Sequence, residues 1–421
     1  MATENNNKNL NVPNKREQSQ TCLGYAERKE QSPQGNVPNL RFPEFSGEWD
    51  RIKVSDLLEF YPTNSLSWEQ LDYSGEGIFN LHYGLIHKGL PTQVDVSENN
   101  LPTIKDEYIP KKMSLCQNGD VAFADASEDT NDVAKCIEFA NCEDRKIVCG
   151  LHTIHGRDSI NKTIDGFKGY AFAAPAFRQQ IRRLAQGTKI YSVSSNNFAE
   201  CYIGIPSKAE QTKIAELLYK LDKRIATQIK IIEDLKKLKS AIRARVFKQL
   251  ESNCECWTEI GNMLQYEQPS KYLVASTEYS DSYATPVLTA NKAFILGYTD
   301  EEFGIYSKGE CVIFDDFTMD VKFVNFPFKV KSSAIKILTA NSGNDLYFVY
   351  EYLQNLGLVS EEHKRHYISE IEPMIVACPT FEEQQNISNL LRSFDSKIEY
   401  ANRELTLYNK QKQYLLSQMF I

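Results

Sequence analysis

The feature that most constrains this chain is a gapless internal duplication. Pro206 to Phe247 and Pro379 to Phe420 align over 42 residues at a shift of 173. Eleven positions are identical: Pro206/Pro379, Glu210/Glu383, Gln211/Gln384, Ile214/Ile387, Leu217/Leu390, Leu218/Leu391, Asp222/Asp395, Ile225/Ile398, Lys237/Lys410, Lys239/Lys412 and Phe247/Phe420. Both copies lack Gly and any Pro after the first residue, and each places Ser207 or Thr380 where an N-cap belongs, so each predicts one long helix. Steps of four and three carry a seam through the first copy: Ile214, Leu218, Leu221, Ile225, Gln228, Ile232, Leu235, Lys239, Ile242 and Val246. The same slots of the second hold Ile387, Leu391, Phe394, Ile398, Ala401, Leu405, Tyr408, Lys412, Leu415 and Met419. Such a period keeps one stripe against a partner helix, and the Lys239 break falls on the aligned Lys412. The two helices are therefore expected to pack on each other as a coiled coil. At about 1.5 Å per residue each is roughly 60 Å long.

A helix repeated at this distance implies two equivalent units, each a globular part followed by its helix. The globular parts echo each other faintly. Trp49-Asp50-Arg51-Ile52 matches Trp257-Thr258-Glu259-Ile260, and Gly119 to Asp125 matches Gly309 to Asp315 as turn, apolar strand and acidic end. Val, Ile, Phe and Tyr runs between turn residues predict strand-rich α/β (α+β) parts in tandem, related by a pseudo-two-fold repeat. The expected boundaries are a disordered tail over 1–35, a globular part over 36–205, a helix over 206–250, a second globular part over 251–378 and a second helix over 379–421. The tail is rich in Asn, Gln, Lys, Glu and Ser and has too few apolar residues to offset its ordering entropy.

With 42% apolar and 25% charged residues in 421, the remainder is ordinary globular sequence, and no apolar run approaches the 20 or so residues that span a bilayer. The N-terminus lacks an apolar h-region, so a cytoplasmic location is expected. Ten Cys are scattered without regular spacing, and their thiols are expected to be reduced. Cys254 and Cys256 are one residue apart, while His152 with His155 and His363 with His366 lack nearby Cys partners. No metal site is expected from that spacing.

Catalytic signatures are missing as well. Gly304 to Gly309 is followed by Glu and makes no phosphate loop, and neither GxGxxG after a strand, GxSxG nor HExxH occurs. Asp315, Asp316, Asp320 and Lys322 resemble pieces of a metal-dependent nuclease, but crowd into eight residues and are better read as a strand end. The chain is expected to perform no covalent chemistry.

The net charge of −8 hides basic windows. Phe167 to Ser192 holds Lys168, Arg178, Arg182, Arg183 and Lys189 without an acid, interleaved with Tyr170, Phe172, Phe177 and Tyr191. Lys322 to Lys336 holds Lys322, Lys329, Lys331 and Lys336, again without an acid, and His363-Lys364-Arg365-His366-Tyr367 precedes the second helix. Each unit thus owns a basic stretch able to meet phosphates and present side chains to base edges.

This order resembles the specificity subunit of type I restriction–modification enzymes. The resemblance rests on Leu40-Arg41-Phe42-Pro43-Glu44-Phe45-Ser46-Gly47-Glu48-Trp49, the Gly119-Asp120-Val121 turn, Gly150-Leu151-His152, Arg178 to Lys189 with Leu184-Ala185-Gln186-Gly187, and Pro206 with Glu210-Gln211, duplicated in the second half. It implies two target-recognition domains, each reading one half of a split double-stranded DNA target. It further implies that the helices pack antiparallel and set the spacer. Two methyltransferase subunits and translocating restriction subunits are the implied partners. S-adenosylmethionine, ATP and Mg²⁺ are expected on those partners, and no cofactor on this chain. By segment, the expected DNA-facing residues are Arg178, Arg182, Arg183, Lys189, Tyr191 and Ser194 in the first domain, and Asn291, Lys292, Lys364, Arg365 and Tyr367 in the second. The alternatives are a recognition subunit of another restriction architecture and a coiled-coil adaptor that binds proteins.

Overall fold

The computed structural model describes residues 35–98, 100–290, 294–360 and 364–421. The expected tail, apart from Gly35, and Asn291 with Lys292 lie outside the described residues. The chain divides into two compact units, one ending at Ile214 and taking back Leu416–Ile421, the other spanning Ala215–Leu415. Each is described separately below.

In the first unit, the residues that follow Trp49 form the strand Asp50–Lys53, which pairs antiparallel with Tyr202–Ile205, the strand that runs into Pro206. A five-stranded sheet orders Glu59–Tyr61, Thr153–Arg157, Val121–Ala124, Cys136–Ala140 and Gln93–Asp95. A four-stranded sheet orders Lys146–Cys149, Ile78–Leu81, Thr103–Ile104 and Leu71–Asp72. Val121–Ala124 is buried at every position, as a central strand covered on both faces must be. The unit also contains the turn of sequence farthest from it along the chain. Phe420 sets its ring edge-on to Trp49 at 6.2 Å and tilted against Phe167 at 5.8 Å, while the Leu40 N–H donates to the Gln418 carbonyl at 2.9 Å. Gly204 lets this end approach: a Cβ there would lie 2.3 Å from Ile421 Cγ1.

The second unit repeats the frame. The strand Trp257–Glu259 pairs antiparallel with Ile375–Ala377, the strand that runs into Pro379. Between them the sheets differ from those of the first unit. One has four strands in the order Leu264–Glu267, Ile335–Ala340, Cys311–Asp315, Val321–Val324, and one has three in the order Ile295–Thr299, Thr285–Leu288, Lys329–Val330. The helix Leu346–Leu356 covers the four-stranded sheet; its N-cap Asp345 accepts from the Phe348 N–H, and Gly357 ends it at φ +59°. Phe247, aligned with Phe420, packs here against Phe348 and Tyr352 at 5.5 and 4.7 Å.

The long helices are Lys208–Asn253 and Phe381–Gln418. Thr380 Oγ1 and Glu383 form a reciprocal capping box, and Ser207 Oγ accepts from the Glu210 N–H. Every residue of the predicted seam is buried or half-buried, including Ile214, Leu218, Leu221, Ile225, Ile232, Leu235, Ile387, Leu391, Phe394, Ile398, Leu405 and Tyr408. The helices run antiparallel: Asp222 pairs with Lys412, Gln228 with Ala401 and Glu404, and Lys239 with Asp395. The duplicated Asp and Lys of one copy thus bind the Lys and Asp of the other, each at 2.6 Å. Gln228, a polar seam residue, donates to the Ala401 carbonyl at 3.0 Å, so its burial leaves the amide satisfied and marks one register.

The duplicated Gln has the same task in both copies. Gln211 accepts from the Ile164 N–H and donates to the Pro206 carbonyl at 2.9 Å each; Gln384 accepts from the Asp345 N–H at 2.9 Å and donates to the Pro379 carbonyl at 3.0 Å. Both are buried. Replacing either by Ala strands buried backbone groups, and a loss of about 1–3 kcal/mol in chemical denaturation is expected for each. Equal stability of Gln211→Ala and wild type would show that the contact carries nothing.

Candidate nucleic-acid interface

In the first unit the short helix Lys168–Ala173 ends at extended Ala174, and Pro175 opens the helix Pro175–Leu184. Phe177 and Ile181, one turn apart, bury its inner face, which sets Arg178, Arg182 and Arg183 beside it. Gln180 bonds both the N–H and the carbonyl of Tyr202, at 2.9 and 2.8 Å, and fixes the helix to the frame strand.

The predicted residues separate by environment. Arg178 is half-buried: one guanidinium nitrogen donates to the Asn131 carbonyl, another is buried without a partner, and burial lowers its pKa. Its contact braces the loop around Asn131. Arg182 is exposed and donates to Asn131 Oδ1 at 3.0 Å, while Arg183 and Lys189 are exposed with no ion pair to another described residue. After the helix the chain folds back sharply. Gln186 and Ser192 exchange backbone hydrogen bonds at 3.0 and 2.9 Å, and the strand Tyr191–Ser192 pairs with Ala126–Ser127. Gly187 makes this reversal possible at φ +143°, where a Cβ would meet the Ile190 carbonyl oxygen at 1.9 Å. Lys189 therefore stands on a braced hairpin, Tyr191 is half-buried in its ladder, and Ser194 caps the helix Ser195–Ala199 through the Asn197 N–H.

Beside the hairpin lies a cleft of about 430 Å³ whose polar lining includes Asp125, His152, Gln186, Ser192, Ser194 and Asn197. His152 holds the left-handed region at φ +55°, and its Nδ1 sits 3.2 Å from Asp125 Oδ1. Of these residues only Ser194 is among those expected from the sequence to face DNA. Asp125 and His152 end different strands 27 residues apart, and no periodic signal predicts that the two strand ends meet. Exposed cations flanking a cleft of mixed donors and acceptors suit a nucleic acid: the first meet phosphates and the second face base edges.

Several expectations are corrected. Three aromatics of the first basic window are core, since Tyr170, Phe172 and Phe177 are all at most 2% exposed, and Lys168 is buried against Glu138 at 3.2 Å. In the second unit Tyr367 is 1% exposed, its ring against Phe314 and Tyr266, so it is a core residue and cannot reach DNA. Lys329 is buried on Glu301 at 2.7 Å and Lys336 on Asp316 at 3.6 Å, which removes two of the four cations of the Lys322–Lys336 window from the surface. Lys364 and Arg365 are exposed, with Lys364 2.9 Å from Glu370. The acidic group has structural duties: Asp315 accepts from Thr318 and the Phe317 N–H, and Asp316 Oδ1 from the N–H groups of His366 and Tyr367.

Comparisons with known proteins converge. Residues 48–237 match a family model described as the type I restriction modification DNA specificity domain. The type I restriction enzyme EcoR124I/EcoR124II specificity subunit of Escherichia coli is 41% identical over 176 residues, 39% of this chain and 44% of that protein, so the match spans less than half of the relative. The putative type I restriction enzyme MjaX specificity subunit of Methanocaldococcus jannaschii is 23% identical over 91% of this chain and 95% of its own. Among solved structures, the type I restriction–modification S subunit from M. genitalium superposes with a TM-score of 0.56 at 16% identity, covering 91% of this chain and 99% of that one. A chain from a structure concerned with complex assembly and conformational transition of the type I R-M system reaches 0.51 at 14% identity, covering 87% and 96%. At these identities the structural likeness establishes the fold.

Proposed function

We propose that this chain, a member of the type I restriction–modification specificity-subunit family, is the sequence reader of such a complex and leaves methylation and cleavage to other subunits. The observation that carries this reading is the duplicated frame: matching strand pairs, matching buried Gln contacts and reciprocal Asp–Lys pairs surround sheets that differ in strand number and order. A fixed frame around unlike inserts suits two readers of unlike half-sites. The target is then a bipartite double-stranded DNA sequence, one half per recognition domain, with the helix pair setting the unread spacer. The partners are two methyltransferase subunits and the restriction subunits, which bind S-adenosylmethionine, ATP and Mg²⁺, and the complex works in the cytoplasm. Among the described residues no helix is long and apolar enough to cross a membrane.

Within the first domain, Arg182, Arg183 and Lys189 meet phosphates while His152, Ser194 and Asn197 face bases. Arg182→Ala combined with Arg183→Ala is expected to weaken duplex binding by the full chain with its methyltransferase partner, and to reduce the slope of log K against log salt by up to about two. Fluorescence anisotropy over a salt series measures both. An unchanged slope would remove these arginines from the interface, and the absence of any salt-dependent duplex affinity in the wild type would favour the protein-binding adaptor instead.

A further inference from the structure

Residues with unremarkable spacing in the sequence meet inside the first unit. Cys116 precedes the strand Val121–Ala124, Cys149 ends Lys146–Cys149, and His155 lies in Thr153–Arg157; all three are at most 5% exposed. A ring nitrogen of His155 and the two Sγ atoms lie within 4.8 Å of one another. The sulfurs are 3.6 Å apart. A tetrahedral zinc ion bound by thiolates at about 2.3 Å separates them by about 3.8 Å, so the pair already has nearly the edge length of that polyhedron, whereas a disulfide requires approach to about 2.05 Å.

The histidine is prepared as a ligand is. Nε2 is 2.8 Å from Asp120 Oδ2, and that carboxylate is itself fixed by Arg157 through two bonds of 2.7 Å and by the Gln117 N–H at 2.9 Å. A carboxylate that accepts a hydrogen bond from one ring N–H leaves the other nitrogen with its lone pair. The other, Nδ1, is buried and has no hydrogen-bond partner. A buried ring acceptor with no hydrogen-bond partner is costly unless something binds it.

We propose that Cys116, Cys149 and His155 bind a zinc ion that fastens the four-stranded sheet, through Cys149, to the five-stranded sheet, through His155. Zinc is favoured over a monovalent thiophilic ion by charge: two thiolates, a neutral imidazole and Zn²⁺ sum to zero, which a buried site tolerates best. Binding forms two Zn–S bonds and one Zn–N bond and releases the two thiol protons to solvent; no electrons move. Three protein ligands leave the fourth position to water. This role is independent of the DNA-reading proposal, because the site lies in the interior of the sheets.

The test uses the full-length chain, kept reduced and stripped of metal, titrated with Co²⁺ and then Zn²⁺. One Co²⁺ per chain with thiolate-to-metal charge-transfer absorption, displaced by one Zn²⁺, is expected, together with a rise in Tm. Cys149→Ser and His155→Gln are each expected to weaken binding at least tenfold. Failure of the folded wild type to bind either metal overturns the proposal, and this result does not depend on whether the variants fold. Binding unchanged in both folded variants overturns it as well. So does formation of a Cys116–Cys149 disulfide, read as a loss of two mass units, in protein that takes up no metal.

Discussion

Phe420→Ala is expected to destabilise the unit built from the first half of the chain by about 3–5 kcal/mol, although residue 420 is the penultimate residue of the sequence. The ring is 7% exposed and lies between Trp49 and Phe167, where Ala leaves a cavity that neither buried Trp49 nor buried Phe167 can move to fill. The Gly204 approach makes the same point from the other side, because the backbone there is shaped to receive Ile421. Trp49, 2% exposed, is a direct reporter. In a background where Trp68 and Trp257 are Phe, its fluorescence is expected to shift at a clearly lower urea concentration in Phe420→Ala than in the parent. Phe247→Ala, at the aligned position, is expected to leave that midpoint unchanged, since Phe247 belongs to the other unit's core. If the two variants acted alike, the assignment of the chain's end to the first unit would be wrong.

This arrangement was partly legible in the sequence. The helices were readable because a seam of period 3.5 and a gapless duplicate are local signals, and Lys239 and Lys412 even announced where the seam breaks. What those breaks do was not readable: each Lys meets an Asp from the other copy, and partner identity at this separation carries no periodic trace. The frame strands after Trp49 and Trp257 were visible as repeated words, yet their pairing with the strands before Pro206 and Pro379 joins residues more than a hundred positions apart. The charge windows misled for a physical reason. A Lys without a neighbouring acid looks solvated, but Lys168, Lys329 and Lys336 are satisfied by Glu138, Glu301 and Asp316 from other segments of the chain. The aromatics between those basic residues do not share that surface, since at helical spacing Phe177 and its neighbours form core. Arg183 and Lys189 are exposed because a helix end and a Gly187 hairpin keep them outward, which local sequence does encode. Spacing arguments against a metal consider neighbours along the chain, and Cys116, Cys149 and His155 become neighbours only across two sheets.

Glu351→Ala is the second substitution expected to have a large effect, about 3 kcal/mol on the second unit. Glu351 is 0% exposed on the helix Leu346–Leu356; Oε1 accepts from Lys239 Nζ at 2.6 Å and Oε2 faces Arg243 Nη1 at 3.3 Å. Lys239 also reaches Asp395 at 2.6 Å and the Tyr347 hydroxyl at 3.1 Å, and Tyr347 donates to Asp395. Burial, with Asp395 and Glu351 alongside, pushes the Tyr347 pKa far up, so the phenol stays a donor. The group therefore joins both long helices to the helix on the sheet through paired acids and bases. Removing the carboxylate takes from Arg243 its acid and leaves Lys239 with Asp395, and breaking a buried pair from one side costs about 3–5 kcal/mol. The lower end applies because both cations keep some solvent contact. Glu351→Gln keeps an acceptor and the packing, so it is expected to cost about half as much. Urea denaturation, with hydrogen exchange of the helix amides as a local readout, separates the two. A loss below about 1 kcal/mol for Glu351→Ala would mean that solvent already screens the cluster and that the apolar seam alone holds the helices against this sheet.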